Sequence, residues 1–572
     1  SLPPTPPPHL YFFFFFLICF FVFFFFFVVE DEYDVIIIGG GPIGSIASLL
    51  LSKKGLKVCL VEKNPNPYPF PRGIALNGFT MGVIQELLGE KWGDFDYTTA
   101  IEVGYALGKD RMDLPFGKMQ PPVIDGDILD LDHYGFINWF NQPQLERLLR
   151  SRIEDDLGID ALYGHEALVL WEDGKNFITI QDTSTGGTRT LWSEYLIGAD
   201  GGGSFVRKQM GSDLKSLGKS IHFLIVDINA PRTALQPGRD FDAGGHQIID
   251  PEGKRPTTFL LCEGKNHGTY KNTFRFEFAL NKGDDHASIQ SPDSIKQLVY
   301  PYLNPEEIKI VRSTIYKFNS LISKTWRKGN MFTIGDATHQ TSPFIGQGLN
   351  LGVRNTLNLV NKIDLVSKGV SEDRLLDQYQ TECFPDSEFI IKQSLFMGGL
   401  LFNVKPHINL IRGIIHRFNG ARGKPIDLFP AFVPETITIP NGFKPRKSSQ
   451  KGYPMYNYKT EEGLPRSLRT YHPTKYRILC KDSSEHLDGF VEGIPDSIRP
   501  LVISLSDGKM GEVTSGSLLV SCQREEDLGM HQKLFKRNEY VLMAPGYTML
   551  GTYSRGDEER MLADYMSMFC LV

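Results

Sequence analysis

Three glycines and one carboxylate carry the most specific chemistry in this chain. Gly39, Gly41 and Gly44 stand in GxGxxG spacing within YDVIIIGGGPIGSIASLLLSKKGLKVCLVEK, and Glu62 follows Gly41 by 21 positions. That pattern can hold a pyrophosphate and a ribose diol: the first glycine permits a tight turn, the second lets the backbone approach phosphate, and the third lets a helix pack closely on a strand. The apolar run Val35 to Ile38 reads as a buried parallel strand, and a helix is expected from Pro42 to about Lys54, ended by Gly55. Its N-terminal N–H groups point at the ligand. A second strand, Lys57 to Val61, delivers Glu62, whose charge favours an unphosphorylated adenosine ribose and hence FAD or NAD over NADP. The cofactor-binding positions expected here are Gly39, Gly41, Pro42, Ile43, Gly44, Glu62 and the adjacent Lys63.

Two later stretches narrow the dinucleotide. GADGGGSFVR spans Gly198 to Arg207 after the strand Tyr195 to Ala199, and GDATHQTSPFIGQGLNLG spans Gly335 to Gly352 after the strand Met331 to Ile334. With these in order, the chain resembles the aromatic-ring hydroxylases, single-component flavoprotein monooxygenases, and is most similar to 3-(3-hydroxyphenyl)propionate hydroxylase and phenol hydroxylase-like members. The resemblance runs from about Asp34 to Pro385. It implies that Asp200, Gly201 and Arg207 serve FAD and the nicotinamide nucleotide, and that Gly335 and Asp336 meet the flavin's ribose or ribityl hydroxyls. It also implies that Pro343 lies near the isoalloxazine, where Gly346, Gly348, Leu349 and Asn350 open a helix. The positive end of that helix can stabilise charge on the reduced flavin. Arg72, in Phe70-Pro71-Arg72, and Gln142, in FNQPQLERLL, are further family-type FAD positions. Asn355, Asn361 and Cys383 depart from the family pattern.

The fold class implied is α/β. A Rossmann-like FAD-binding domain of the para-hydroxybenzoate hydroxylase type is expected over 33–212 and 318–400, and a β-sheet substrate domain over 213–317. A connecting region at 401–450 and a thioredoxin-like C-terminal domain over 451–572 would complete the chain. The tail has no CxxC, so a redox role is not expected of it. A chain of 572 residues exceeds one core, which agrees with several domains. Within 221–316, runs such as IHFLIVDINA and NTFRFEFAL alternate apolar and polar, as strands do. Arg275 and Glu277 must therefore share a strand face, either inside a substrate cavity or on a solvated, salt-bridging surface. The candidate catalytic residues are Pro343, Arg275 and His246, the last with Gln247 as a contact for a phenolic oxygen.

By resemblance, the activity is FAD-dependent hydroxylation of a phenolic or other activated aromatic substrate, with NADPH or NADH as reductant and O2 as oxidant, through a flavin C4a-hydroperoxide. GGGSFV after Asp200 lacks a last glycine, so the nicotinamide nucleotide is expected to bind on the FAD domain rather than in a fold of its own. Two alternatives stand beside this: a same-fold monooxygenase or epoxidase acting on a membrane isoprenoid or polyketide, and a non-catalytic FAD-fold binding protein.

A net charge of −6 without a basic stripe argues against nucleic acid as a partner. The seven cysteines are scattered singly, supporting neither a zinc site nor a disulfide framework. No metal is expected. Residues 10–29, LYFFFFFLICFFVFFFFFVV, are long and apolar enough to span a bilayer. Their readings are an anchor, a signal peptide lacking a basic start and cleavage site, or a low-complexity feature of 1–32 outside the fold. A cytoplasmic location is expected, or a membrane-anchored one if 10–29 is a true anchor. The expected partners are a small aromatic substrate and O2, with a homodimer as a candidate assembly.

Overall fold

The computed structural model describes residues 32–100, 137–236, 245–248, 255–262 and 273–402, four short strands between 103 and 128, and separated segments beyond 406. The apolar tract 10–29 and most of 401–450 lie outside the described residues.

The first sheet is built from β1 (Glu32–Ile38), β2 (Val58–Glu62), β3 (Ile159–Tyr163), β4 (His165–Asp173), β5 (Lys175–Asp182) and β6 (Thr188–Gly198) in the order β3-β2-β1-β6-β5-β4. β3, β2, β1 and β6 run parallel, and the hairpin β4–β5 continues antiparallel from β6. The strand Met331–Thr333 also joins β6 in parallel. Val35 to Ile38 are all buried, as expected of a strand covered on both faces. The register sets Ile38 beside Gly198 and Gly198 beside Thr333. The three sequence fingerprints, which begin where these strands end, therefore meet at one sheet edge, the carboxyl end where open α/β sheets bind ligands.

Helix α1 (Pro42–Ser52) covers one face of this sheet with its residues 44–51 buried. Helix α2 (Gln142–Glu154) packs beside it. Pro42 and Pro143 sit in the first helical turns, where the missing N–H costs nothing.

The second sheet contains β7 (Ile221–Asn229), β8 (Gly245–Ile248), β9 (Thr257–Cys262), β10 (Thr273–Ala279) and β11 (Lys309–Phe318), in the order β11-β7-β10-β9-β8. One face of it is a separate core: Leu224, Val226 and Ile228 pack with Phe259, Phe274, Phe276 and Phe278 against helix α3 (Pro292–Val299). The period of two in FLIVDIN and FRFEF thus places Asp227, Arg275 and Glu277 on the other face, toward the first sheet. All three are buried, so that face is not solvated, although Arg275 does form an ion pair on it: the Pro71 segment of the first domain covers it.

Helices α4 (Gly348–Ser367) and α5 (Arg374–Phe402) pack on each other and close the FAD-side layer. Farther on, β12 (Arg477–Lys481), β13 (Leu501–Ser506), β14 (Leu518–Ser521), β15 (Tyr540–Met543) and β16 (Met549–Tyr553) form a five-stranded sheet in the order β14-β13-β12-β15-β16. β12, β13 and β14 are parallel, while β15 and β16 are antiparallel additions. No helix among the described residues is long and apolar enough to cross a membrane.

Candidate active site

The glycines of the first turn divide by what surrounds them. Gly39 has φ +106°, and a side chain there would put its Cβ 2.5 Å from the Ala199 carbonyl oxygen. A Cβ on Gly44 would lie 1.8 Å from the Gly39 oxygen, so the close approach of α1 to β1 requires glycine. Gly41 is different: no described residue lies within 4 Å of the position its Cβ would take. That leaves room for a ligand at the head of α1. Gly201 and Gly348 are open in the same way.

Helix capping makes the same division. The helices starting at Gly78, Gln142, Phe205, His286 and Pro292 have their first N–H groups bound by the side chains of Asn77, Asn141, Ser204, Asp285 and Ser291. α1 and α4 begin at Gly41 and Gln347 with no side-chain cap. Their N–H groups are left for something else, and both point to the strand ends where the fingerprints meet. α1 and α4 pack together: Ile43 of α1 lies against Gly335 and Gly352, where an added Cβ would fall 3.1 Å and 2.7 Å from it.

Two carboxylates complete this floor. Glu62 accepts from the Gly40 N–H at 2.7 Å through Oε2, and from the Asn64 N–H at 2.8 Å through Oε1. It is half-buried at the end of β2, its charge fixed beside the glycine turn. Asp336 is enclosed by protein on most sides, which raises its carboxyl above the ordinary range, while Arg72 draws it back down. Its side chain is nevertheless solvent-accessible. Depth and accessibility together describe a cleft, and for a ligand the accessibility decides, since the carboxyl can be reached. The second fingerprint adds Asp200, whose Oδ2 accepts from Phe205 and Val206 N–H at 2.6 and 3.1 Å, leaving Oδ1 buried without a hydrogen-bond partner.

Other expected cofactor residues hold the floor in shape. Arg207 is buried and donates to the carbonyls of Ala337 (2.8 Å) and Gly202 (2.9 Å), tying the second fingerprint to the third; burial lowers its pKa and Asp200 opposes that. Gln142 accepts from Gly73 N–H at 2.6 Å and donates to Glu146 at 2.6 Å. Asn350 accepts from Asn77 N–H at 3.0 Å and donates to Gly346 O at 2.8 Å. Pro42, Ile43, Pro343 and Leu349 are half-buried along the cleft, and Lys63 is exposed. Gly335 and Gly346 adopt φ of +59° and +62°, shaping the turns before and after Pro343.

The second sheet faces this floor as a roof. Arg275 is bidentate to Asp227 at 2.7 and 3.0 Å, and Arg312 lies 3.7 Å from the same carboxylate. Both guanidiniums also reach down to the Pro71 carbonyl, at 2.7 and 2.8 Å. Arg312 further bonds the Tyr316 hydroxyl. The Arg72 side chain, just beyond, lies 4.3 Å above the Tyr68 ring. Sequence reading missed Asp227. Its signal was present: a carboxylate inside the apolar run FLIVDIN needs a buried cation. On the far side of the roof, Gln247 donates to the Phe344 carbonyl at 3.3 Å, next to Pro343, and His246 is buried beside it. His339, within the third fingerprint, is buried against Trp326, its Nε2 3.0 Å from Asn355 Nδ2; burial depresses its pKa to about 4. It is a neutral packing residue at physiological pH.

Open backbone at Gly41, Gly201 and Gly348, two uncapped helices, an accessible deep carboxyl at Asp336 and an orphaned Asp200 oxygen suit a long, polar, phosphate-bearing cofactor. Among the described residues no cluster of His, Cys, Asp or Glu could hold a metal ion.

Comparison with known proteins agrees. The family described as FAD binding domain matches residues 32–394. The chain is 29% identical over 369 residues to a probable NADH-specific resorcinol 4-hydroxylase of Rhodococcus jostii, covering 63% of each chain. It is 25% identical over 364 residues to a 3-(3-hydroxy-phenyl)propionate/3-hydroxycinnamic acid hydroxylase of Mycolicibacterium smegmatis, covering 63% of this chain and 60% of that one. The matches thus span less than two thirds of these relatives' length. Among solved structures, the flavin-dependent monooxygenase PieE in complex with FAD and substrate superposes with a TM-score of 0.73 at 17% identity, over 94% of this chain and 99% of that one. At that identity the likeness concerns the fold.

Proposed function

Because this chain belongs to the FAD binding domain family, we propose that it is an FAD-dependent monooxygenase that hydroxylates a phenolic or similarly activated aromatic ring, using NADH or NADPH and O2. The observation that carries the reading is the meeting of floor and roof: Gln247 of β8 bonds the Phe344 carbonyl beside Pro343, so the sheet reserved for substrate stands over the segment that opens α4. The names of the relatives, both hydroxylases of phenols, support the same class.

When bound, FAD would supply the redox chemistry linking a nicotinamide nucleotide to O2. The chain's own residues bind and orient. The free N–H groups of α1 would hold the pyrophosphate over Gly41, Glu62 would hold the adenosine ribose, and Asp336 would accept from hydroxyls farther along the cofactor. The N-terminal end of α4 offers positive potential where the flavin ring gains negative charge. Gly201, Asp200 and Arg207 shape the adjoining wall, and Arg207 acts from behind it through the carbonyls of Gly202 and Ala337. Arg275, with Asp227 and Arg312, fixes the Pro71–Arg72 segment at the edge of the cleft, and the roof excludes water from the reacting ring. Gln247 lines the roof beside Pro343, whereas His246, one residue earlier on β8 and the register neighbour of Phe259, faces the far core of the sheet and so drops out of the candidate catalytic residues. The tail sheet runs β13-β12-β15-β16 with the first pair parallel and the rest antiparallel, which supports a thioredoxin-like domain; without CxxC, a subunit contact or a scaffold is the role it suits.

The test is NADH and NADPH oxidation under air by the FAD-loaded protein, with and without phenols. Stimulation by a phenol with a hydroxylated product is the expected result. Oxidation that no phenol alters, with no hydroxylated product, would overturn the reading.

A further inference from the structure

One row of the roof carries polar groups that the described residues leave open. Across the sheet, Gln247 of β8, Thr258 of β9, Glu277 of β10, Ile225 of β7 and Thr314 of β11 are mutual register neighbours and share the face turned to the floor. The rows on either side are already tied down. Toward one end, Arg275 reaches the Pro71 carbonyl; toward the other, Phe223 packs on Phe344 with ring centroids 6.0 Å apart. The row of Glu277 spans the gap between these ties.

Glu277 is only 8% exposed, and its carboxylate makes no hydrogen bond to any described residue. The charged groups that act on it are Arg275, on its own strand, and Asp227, on the adjacent one. Arg275 is committed to Asp227 and to the Pro71 carbonyl, so it does not close a pair with Glu277. Although the residue is largely buried, its carboxylate oxygens are not sealed in the protein, so a hydrogen-bond donor on a ligand in the cleft can reach them. Two strands away, Gln247 leaves Oε1 buried and without a partner while its Nε2 holds Phe344. Neighbouring strands lie about 4.8 Å apart, so these two acceptors rise from positions about 10 Å apart on one face, room for a single aromatic ring between their side chains.

We propose that Glu277 accepts the hydrogen bond of a substrate ring hydroxyl, with Gln247 Oε1 as the second acceptor, and that this pair selects neutral rings bearing hydroxyl donors over rings bearing a carboxylate. This inference rests on the monooxygenase reading and names its substrate class. The roof's guanidiniums do not counter it: Arg275 and Arg312 are engaged by Asp227, by the Pro71 carbonyl and, for Arg312, by the Tyr316 hydroxyl. A substrate carboxylate in this row would meet acceptors and a like charge.

The test uses the full-length FAD-loaded protein and reads dissociation constants for resorcinol and 3-(3-hydroxyphenyl)propionate from perturbation of the flavin absorbance. Resorcinol should bind the parent protein more tightly than the acid. Glu277→Met should weaken resorcinol roughly 10- to 100-fold, the range for losing a hydrogen bond to a charged group, and leave the acid unchanged or tighter. FAD content and melting temperature should be kept, since removing an unpaired buried charge does not weaken the fold. Glu277→Gln, closest in shape, should show the same trend in smaller measure and serves if the methionine variant does not fold. Unchanged resorcinol affinity in a variant that holds FAD, or tighter binding of the acid by the parent, would overturn the inference alone. Loss of FAD together with a lowered melting temperature in both variants would also overturn it, making Glu277 a structural residue. If no phenol perturbs the flavin of the parent protein, the monooxygenase reading fails with it.

Discussion

The floor and the roof of this cleft are made by opposite means. The floor is backbone: glycines at Gly41, Gly201 and Gly348 with nothing near them, and two helices whose first N–H groups lack side-chain caps. The roof is side chain: a buried ionic cluster of Asp227, Arg275 and Arg312 with neighbouring acceptors. Backbone recognition suits a ligand that is always the same, since main-chain N–H groups cannot be altered by substitution. Side chains suit a ligand that differs among relatives, because each can change without disturbing the sheet ladder.

The comparison breaks most sharply within the first turn. Gly44→Ala forces a Cβ to 1.8 Å from the Gly39 oxygen and should abolish soluble, FAD-containing protein. Gly41→Ala meets no protein atom within 4 Å at an ordinary φ of −69°. Its cofactor-free melting temperature should be unchanged or slightly raised while FAD affinity falls. Equal losses of stability in the two would mean that Gly41 serves packing, not a ligand.

Next in size is the roof cluster. Asp227→Asn leaves two buried guanidiniums without their shared carboxylate and should cost about 3–5 kcal/mol in urea unfolding, the usual loss when one member of a buried ion pair is removed. A loss below about 1 kcal/mol would show that the Pro71 carbonyl alone satisfies them.

His339 sharpens the comparison through pH. Its folded pKa of about 4 lies below the unfolded value of 6.5, so between these limits the unfolded chain binds a proton that the folded one refuses. Stability should therefore fall as pH drops from about 6.5 to about 4, by about 3 kcal/mol for this group. His339→Gln should remove that part of the slope, and an unaltered slope would contradict the assignment.

The smallest effect is expected at a capped helix. Asn141→Ala deletes the acceptor for Gln144 N–H and should cost about 1 kcal/mol in thermal unfolding without changing FAD affinity.

The sequence revealed the floor far better than the roof. Each glycine of the first turn meets atoms or openings dictated by the strand, turn and helix around it, so spacing alone predicts its role. Glu62 was legible for the same reason. The lining up of Ile38, Gly198 and Thr333 across neighbouring strands was expected only through the family resemblance, because it depends on which strands pair across more than a hundred residues. Alternation placed Arg275 and Glu277 on one face but did not say what covers that face. Asp227 supplied the answer only when its register partner Arg275 was seen. Arg207 and Gln142 read as ligand contacts by motif, yet Arg207 binds the Gly202 and Ala337 carbonyls and Gln142 binds the Gly73 N–H and the Glu146 carboxylate, commitments no local pattern displays.

On this reading the cleft holds FAD through an open backbone floor with Asp336 at its base. Titration of the cofactor-free protein with FAD, followed by quenching of flavin fluorescence, tests it most directly when parent and Asp336→Ala are compared. The account predicts saturable binding by the parent and a roughly 10- to 100-fold weaker constant for the variant, as expected when a charged acceptor of ligand hydroxyls is lost. Equal affinity in the two proteins would contradict it.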